Sequence, residues 1–346
     1  MGVDLGDLAI KHTISLESLS GKVIALDAFN ILYQFLASIR QEDGTPLMDY
    51  KGHVTAHLSG LFYRTSRLVQ NGIRPIYVFD GKPHAFKEKT RQERAQIKEK
   101  AQEKWEKALE EERFEDARKY ASATSRLTDD MIQESKRLLE AMGIPLVQAP
   151  GEGEAQAAMM VRNGLAFATG SQDFDALLFG SPILVRNLSI TGRRKVPRQD
   201  RFIMIEPEEI HLQETLDSLK IDQEMLIWIG LLVGTDFNEG VPRVGPKTAL
   251  KLVKESGSLA ELKAKVREKY SYDFEVEIEL IRDFFYSPPY IEITEKPRWG
   301  IASNSEVVKI LVDEHDFSRE RVEKTLSDMA HSFREKGAQK KLEDWW

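Results

Sequence analysis

The chain of 346 residues contains no cysteine, which excludes disulfides, thiolate zinc sites and cysteine nucleophiles together. No apolar run approaches the roughly 18 residues that a membrane helix needs. The Met1-Gly2-Val3-Asp4 start lacks the basic-then-apolar pattern of a secretion signal. A soluble cytoplasmic protein without a membrane partner is therefore expected. There is no internal repeat and no Pro-, Ser- or Gly-rich linker that would cut the chain into independent units; only the last dozen residues look detachable. Nor is positive charge in excess: 49 Lys+Arg against 56 Asp+Glu leave −7, which at first sight argues against a nucleic-acid partner. Hydrophobic residues are plentiful at 41%, enough for a sizeable core, so disorder throughout is excluded.

Charge placement matters more than the sum, because a phosphate backbone is held by local basic patches. One patch is Arg186, Arg193, Arg194, Lys195, Arg198 and Arg201, with Asp200 as its only acid. A second stretch, Lys87 to Lys119, has 11 basic and 10 acidic residues in 33 positions. Its Ala, Glu, Lys, Gln and Arg favour helix, yet no wide apolar stripe runs along it, so it reads as helix projecting into solvent.

Elsewhere strand and helix patterns alternate. Lys22–Asp27 and Arg74–Asp80 read as buried strands ending in an acid, with a helical pattern over Val54–Gln70 between them. Ile144–Val147 leads through Pro150-Gly151-Glu152-Gly153-Glu154 into a helix over Ala155–Arg162. Leu165–Thr169 is a further strand, followed by Asp173-Phe174-Asp175. Strands separated by helices imply crossover connections, hence an α/β fold with a mainly parallel twisted sheet covered by helices on both faces.

In such a sheet the carboxyl ends of the strands meet at one crevice. Asp27, Asp80, Glu152, Glu154, Asp173 and Asp175 all fall at or just beyond strand ends, and Asp236 follows Gly234-Thr235. Glu152/Glu154 and Asp173/Asp175 are each spaced by two, which in extended chain aims both side chains one way. A like-charge pair 4 Å apart costs about 4 kcal/mol at an effective dielectric of about 20, so the cluster persists only with bound cations or protons. Any one of these acids could be a helix cap or turn residue; six at the same end of successive strands are hard to explain so. An all-oxygen set without Cys or His favours two Mg²⁺, with Mn²⁺ as a substitute, over zinc. Two such ions about 4 Å apart suit a phosphoryl displacement.

Two glycine-rich stretches fail as nucleotide sites. Gly151-Glu152-Gly153-Glu154 lacks the third glycine of a dinucleotide fingerprint and would face pyrophosphate with acids. In Gly240–Thr248, Pro246 removes a backbone donor that a phosphate loop needs. The same segment suits a helix–turn–helix that touches a DNA phosphate: Gly245 allows close approach, Pro246 starts the next helix, and Lys247 and Lys251 add positive potential. His53 and His57, four apart without a supporting acid, read as a solvated helix face rather than a zinc pair.

Ala25-Leu26-Asp27-Ala28-Phe29-Asn30, Tyr77-Val78-Phe79-Asp80-Gly81-Lys82-Pro83, Ala149–Ala155, Ser171–Asp175, Gly234-Thr235-Asp236 and Gly245-Pro246-Lys247 together resemble the archaeal-type flap endonucleases, structure-specific 5′ nucleases of DNA replication and repair. The resemblance spans Gly2 to Trp346. It implies one nuclease domain over 1–330, with an N-terminal half (about 1–100), an internal half (about 120–260) and a helical arch (about 82–126) through which the 5′ strand passes. A flexible tail follows over 331–346. The resemblance also implies that Asp27, Asp80, Glu152 and Glu154 hold one metal and Asp173, Asp175 and Asp236 the second, for hydrolysis leaving 5′-phosphate and 3′-hydroxyl. Lys87 and Arg94 match the pair at the scissile phosphate, Tyr33 the aromatic that stacks a base, and Arg40 and Arg64 duplex contacts. Glu152, Gly234, Asp236, Gly245, Lys247 and Lys251 also fall on the DNA side. Gly240–Lys247 corresponds to a helix–two-turn–helix that in relatives also binds K⁺; many relatives carry Gly where this chain has Arg243. Gln339, Leu342, Trp345 and Trp346 match the peptide that docks on the DNA sliding clamp, which usually ends in Phe-Phe.

The implied function is a two-metal 5′ flap endonuclease with 5′–3′ exonuclease activity, monomeric, in the archaeal cytoplasm at the nucleoid (nuclear only in a eukaryote). Its partners would be branched DNA and the clamp. The alternatives are a 5′ exonuclease or bubble-cutting nuclease of the same fold, or a non-catalytic, clamp-tethered binder of branched DNA.

Overall fold

The computed structural model describes residues 2–41, 43–111, 113–190, 192–195 and 202–343, without the side chains of residues 88, 89, 91, 93, 109, 114, 115, 118, 122, 193–195, 202, 203 and 333–343. Its strands are β1 (His12–Thr13), β2 (Val23–Asp27), β3 (Arg74–Phe79), β4 (Leu146–Gln148), β5 (Ala168–Gly170), β6 (Ile183–Arg186), β7 (Gly192–Lys195), β8 (Phe202–Ile205) and β9 (Glu208–His211). Seven form one sheet in the order β1-β9-β6-β5-β2-β3-β4. The pairings β6-β5, β5-β2, β2-β3 and β3-β4 are parallel; among the described residues of this sheet β9 alone is reversed, pairing antiparallel with both β6 and the edge strand β1. The mainly parallel sheet expected from the alternating pattern is present.

Alternation along the central strands makes the sheet two-faced. Ile24 and Leu26 of β2 and Tyr77 and Phe79 of β3 join one buried cluster with the helices Ala28–Ser38, Ala56–Gln70 and Asp129–Ala141. Ala25, Ile76 and Val78 face the opposite side, against Ala157, Met160 and Val161 of the helix Gly153–Arg162. The helix Gln223–Val233 is buried along Leu226–Leu232 and anchors a further cluster with Phe237, Phe284 and Phe285. A helix that is apolar all round must be covered on every side.

The chain leaves β2 for β3 and β4 on one flank and returns to β5 and β6 on the other. The sheet order therefore changes direction beside β2, and the carboxyl ends of β2 to β5 share one rim. Above that rim stands a helical hairpin, Glu88–Glu110 followed by Phe114–Ala121. It is less solvated than its charge pattern implies, because Ala101, Ala108, Ala117 and Ala121 are buried where the two helices pack. The basic patch is divided: Arg186 ends β6 and pairs with Glu208 at 3.0 Å, whereas Arg193, Arg194 and Lys195 lie on β7, which pairs with β8 as a separate two-stranded sheet; Arg198 and Arg201 lie outside the described residues.

His53 and His57 do not share a solvated helix face. The helix begins at Ala56, His57 is 0% exposed, and the ring of His53 is 64% exposed ahead of the helix. Among the described residues, no helix is long and apolar enough to cross a membrane.

Candidate active site

Asp27 is the last residue of β2 and the N-cap of the helix Ala28–Ser38, where it accepts the Asn30 N–H at 3.1 Å. Asp80 follows β3 and accepts the Gly153 N–H at 2.8 Å. A Cβ at residue 153 would lie 2.6 Å from Asp80 Oδ1, so only glycine lets the start of the next helix come that close. Glu152 is the N-cap of that helix and Glu154 lies in its first turn. Ser171, just past β5, donates to Glu154 Oε1 at 2.7 Å and accepts the Asp173 N–H at 3.2 Å. Asp175 opens the short helix Asp175–Leu178 and accepts the Val3 N–H at 2.7 Å. The two acid pairs thus converge through strand-to-helix turns, not through the extended-chain alternation expected from their spacing.

Asp236 arrives from the far end of the helix Gln223–Val233. Gly234, at φ 103, ends that helix. A Cβ at Gly240 would fall 2.1 Å from the Val233 carbonyl oxygen, so only glycine lets the returning loop cross here. Thr235 and Asn238 close the turn between them, with Thr235 Oγ1 donating to Asn238 Oδ1 at 2.8 Å and Asn238 Nδ2 to the Leu231 carbonyl at 2.8 Å.

Electrostatics ties the seven together. Burial, then repulsion from Asp80, lifts the Asp27 carboxyl well above its ordinary value. Burial, then Glu152, raises Asp80 to about 6; burial, then Asp236, raises Asp175 to about 7. Glu154 is lifted by burial and by Asp27, Asp175 and Asp173. Carboxylates held this way have too few counter-charges.

Two cations answer them. Burial disfavours the charged form of Lys87, but Glu152 and Asp236 outweigh it and raise its pKa. Lys87 pairs with Glu152 and reaches Asp236 Oδ2 at 3.6 Å. Arg94 likewise gains from its pairing with Asp236 more than burial takes away. Both stem from the foot of the charged hairpin, Lys87 from the turn Ala85–Lys87 just ahead of it and Arg94 from its first helix. Two cations against seven carboxylates leave a strongly negative, all-oxygen donor set without sulfur or imidazole. That is the chemistry of a hard divalent-cation site.

The other residues picked out in the sequence spread around this centre. Tyr33, 38% exposed, lies under the Lys98 ammonium, 4.8 Å from its ring centroid. Arg40 donates to the Leu36 and Gly44 carbonyls and to Ser125 Oγ at 2.9 Å, bracing the loop after its helix against the end of the hairpin. Arg64 is half-buried, and burial followed by the neighbouring Arg67 lowers its pKa. Gly245 is the N-cap of the helix Pro246–Lys254, with open space around it. Lys247 and Lys251 are exposed on that helix, Lys247 at 3.2 Å from Asp7. Arg243 adopts φ 67, the left-handed region that favours glycine. Gln339 and Leu342 lie in the helix Arg319–Glu343 with side chains outside the described residues, as are Trp345 and Trp346 altogether.

Asn30 and Ser171 escaped the sequence reading. Asn30 Nδ2 donates to Asp173 Oδ2 at 2.9 Å, while its Oδ1 accepts the Gln172 N–H at 3.2 Å. Each sits two or three residues from a strand-end acid, a placement that could have singled them out as the polar groups orienting it.

Residues 3–101 match the XPG N-terminal domain family and residues 143–236 the XPG I-region. The chain is 50% identical to flap endonuclease 1 of Aeropyrum pernix over 100% of both chains. It is 48% identical to flap endonuclease 1 of Pyrococcus abyssi, over 100% of this chain and 98% of the relative. Among solved structures, flap endonuclease-1 from Methanococcus jannaschii aligns with a TM-score of 0.75 at 40% identity, over 97% of this chain and 100% of its own. The catalytic core of Rad2 in complex with DNA substrate shares the fold, with a TM-score of 0.70 at 22% identity over 94% and 97% of the two chains.

Proposed function

This chain belongs to the flap endonuclease family of structure-specific DNA nucleases of replication and repair, and on that premise we propose how its own residues do the work. Asp27, Asp80, Glu152, Glu154, Asp173, Asp175 and Asp236 hold two Mg²⁺ ions, for which Mn²⁺ substitutes. The observation that carries this reading is seven carboxylates close enough to raise one another's pKa values, with Lys87 and Arg94 as the side-chain cations paired to them among the described residues. When bound, the ions supply Lewis acidity at the phosphate and ease ionisation of the attacking water.

The protein's part is positioning and charge. Asn30, Ser171 and the N–H groups of Gly153 and Val3 hold the carboxylates in place. Lys87 and Arg94, held over the centre by their pairings with Glu152 and Asp236, would face the scissile phosphate. Their charge counts most as negative charge builds on the phosphoryl oxygens. Water adds at phosphorus and the P–O3′ bond breaks, leaving 5′-phosphate and 3′-hydroxyl. Tyr33 stacks the base beside the cut once Lys98 moves off its ring. The hairpin over 88–121 encloses the 5′ strand, Arg40 and Arg64 lie along the duplex, and the Gly240–Lys247 turn receives a phosphate and K⁺. The same centre accounts for 5′–3′ exonuclease activity. The tail with Gln339, Leu342, Trp345 and Trp346 docks on the sliding clamp, and the enzyme works as a monomer in the archaeal cytoplasm.

Cleavage of a labelled 5′-flap duplex and of a nicked duplex, with and without Mg²⁺, tests this reading. Flap cutting should require the ion, exceed cutting at the nick, and fall by at least about 100-fold in Asp173→Ala with most DNA affinity kept. Wild-type rates in that variant would break the site assignment, and faster cutting at the nick would favour an exonuclease.

A further inference from the structure

A second cluster of ligand-type side chains stands apart from the acidic centre and shares no residue with it. Asp49 lies in the loop before the helix Ala56–Gln70, with its side chain 0% exposed. Asp49 Oδ2 is 3.1 Å from His53 Nδ1 and 3.2 Å from His315 Nδ1. One ligand atom from each of the three residues lies within 4.8 Å of the others. Zinc bound tetrahedrally at about 2.0–2.2 Å from nitrogen and oxygen separates its ligand atoms by about 3.3–3.5 Å. The two edges through Asp49 are already within a few tenths of an ångström of that.

The surroundings supply the outer contacts that a ligated imidazole and carboxylate require. Asp49 Oδ1 accepts the backbone N–H groups of Lys51 at 2.9 Å and His53 at 2.8 Å, which fixes the carboxylate's orientation. Glu134 Oε1 lies 3.4 Å from His315 Nε2, and its other oxygen pairs with His57 Nε2 at 3.1 Å. A proton held on Nε2 by Glu134 leaves Nδ1 as a lone-pair donor, the carboxylate–histidine–metal relay of outer-shell support. His315 is buried, whereas the ring of His53 is 64% exposed. The cluster therefore has one wet side through which an ion can enter and a water can complete the coordination.

We propose that Asp49, His53 and His315 bind one divalent ion of the zinc class, with water as the fourth ligand, as a structural clip. Two imidazoles and one carboxylate favour zinc or cobalt over Mg²⁺, the reverse of the all-oxygen centre. The clip ties residues 266 positions apart, joining the loop ahead of one core helix to the turn that leads into the helix Arg319–Glu343. The same seam carries the Tyr50 N–H donating to Asp316 Oδ2 at 3.1 Å. The ion leaves the acidic centre untouched and acts on stability, since a ligand that binds only the folded chain shifts the folding equilibrium.

The test uses the full chain, stripped with chelator and then given excess Mg²⁺ to fill the acidic centre. Titration with Co²⁺ should produce the visible absorption of tetrahedral cobalt, saturating at one equivalent and displaced by Zn²⁺. It should be lost in His53→Ala and in His315→Ala and kept in Asp173→Asn. Zn²⁺ at about 100 times its dissociation constant should favour the folded wild-type chain about 100-fold, raising its Tm, and leave His53→Ala unmoved. Should His315→Ala fail to fold, His53→Ala decides, because its ring is largely in solvent. An absent tetrahedral spectrum, one that survives both histidine variants, or one lost only in Asp173→Asn would overturn the proposal.

Discussion

Asn30 and Asp173 are hydrogen-bonded at 2.9 Å across 143 residues of chain, while the Asn30 backbone N–H holds Asp27. One asparagine thus orients a carboxylate from each side of the sheet's change of direction. Asn30→Ala removes the side-chain bond and keeps the helix. Polar groups that orient ligating carboxylates typically contribute about 10–100-fold in metal affinity or activity. Flap cleavage in Asn30→Ala is expected to need more Mg²⁺ for half-maximal rate, with Tm nearly unchanged. An unaltered Mg²⁺ requirement would remove Asn30 from the site.

Lys87 reaches Glu152 and Asp236 together. Its charge is most valuable when the phosphate carries extra negative charge, so Lys87→Ala should lower single-turnover cleavage by about 100–1,000-fold. Flap affinity should weaken far less, since the phosphate contacts proposed for Arg64, Lys247 and Lys251 would remain. Equal losses in rate and affinity would assign Lys87 to ground-state binding instead.

Asp175 is held protonated to about pH 7, chiefly by burial and then by Asp236. An aspartate in the unfolded chain ionises near its ordinary value of 3.8. Between these two values the native chain keeps a proton that the unfolded chain has released, so without metal stability falls as pH rises through that window. Asp175→Asn cannot ionise and avoids the loss, while its amide oxygen can still accept the Val3 N–H. The metal-free variant should therefore melt above wild type at about pH 8, with the gap closing towards about pH 4. Mg²⁺ should raise the wild-type Tm more at the higher pH, because binding needs the ionised carboxylates. A gap that stays constant across that range would show that Asp175 does not titrate as described.

The local chain carries much of this molecule openly. Val23–Asp27 and Arg74–Phe79 are apolar runs too short for helices and bounded by turns, so they read as buried strands. The acids Asp27 and Asp80 at the ends of these two strands are legible in the sequence itself. The charged hairpin was also visible as helix, though its buried alanines were not, since Ala serves equally on a solvated or a packed face.

Tertiary contact settled what local pattern leaves open. His53 and His57 look like one helix face four residues apart, yet the chain turns between them, sending His57 inward to Glu134 and His53 outward beside Asp49. No feature near residue 49 announces His315, and none near Asp27 announces Asp173. The helix and strand periods that shape a sequence act over a few residues. Distances between atoms hundreds of positions apart arise only when the sheet and its helices close around a shared core, and it is those distances that bring scattered carboxylates and imidazoles into two separate clusters.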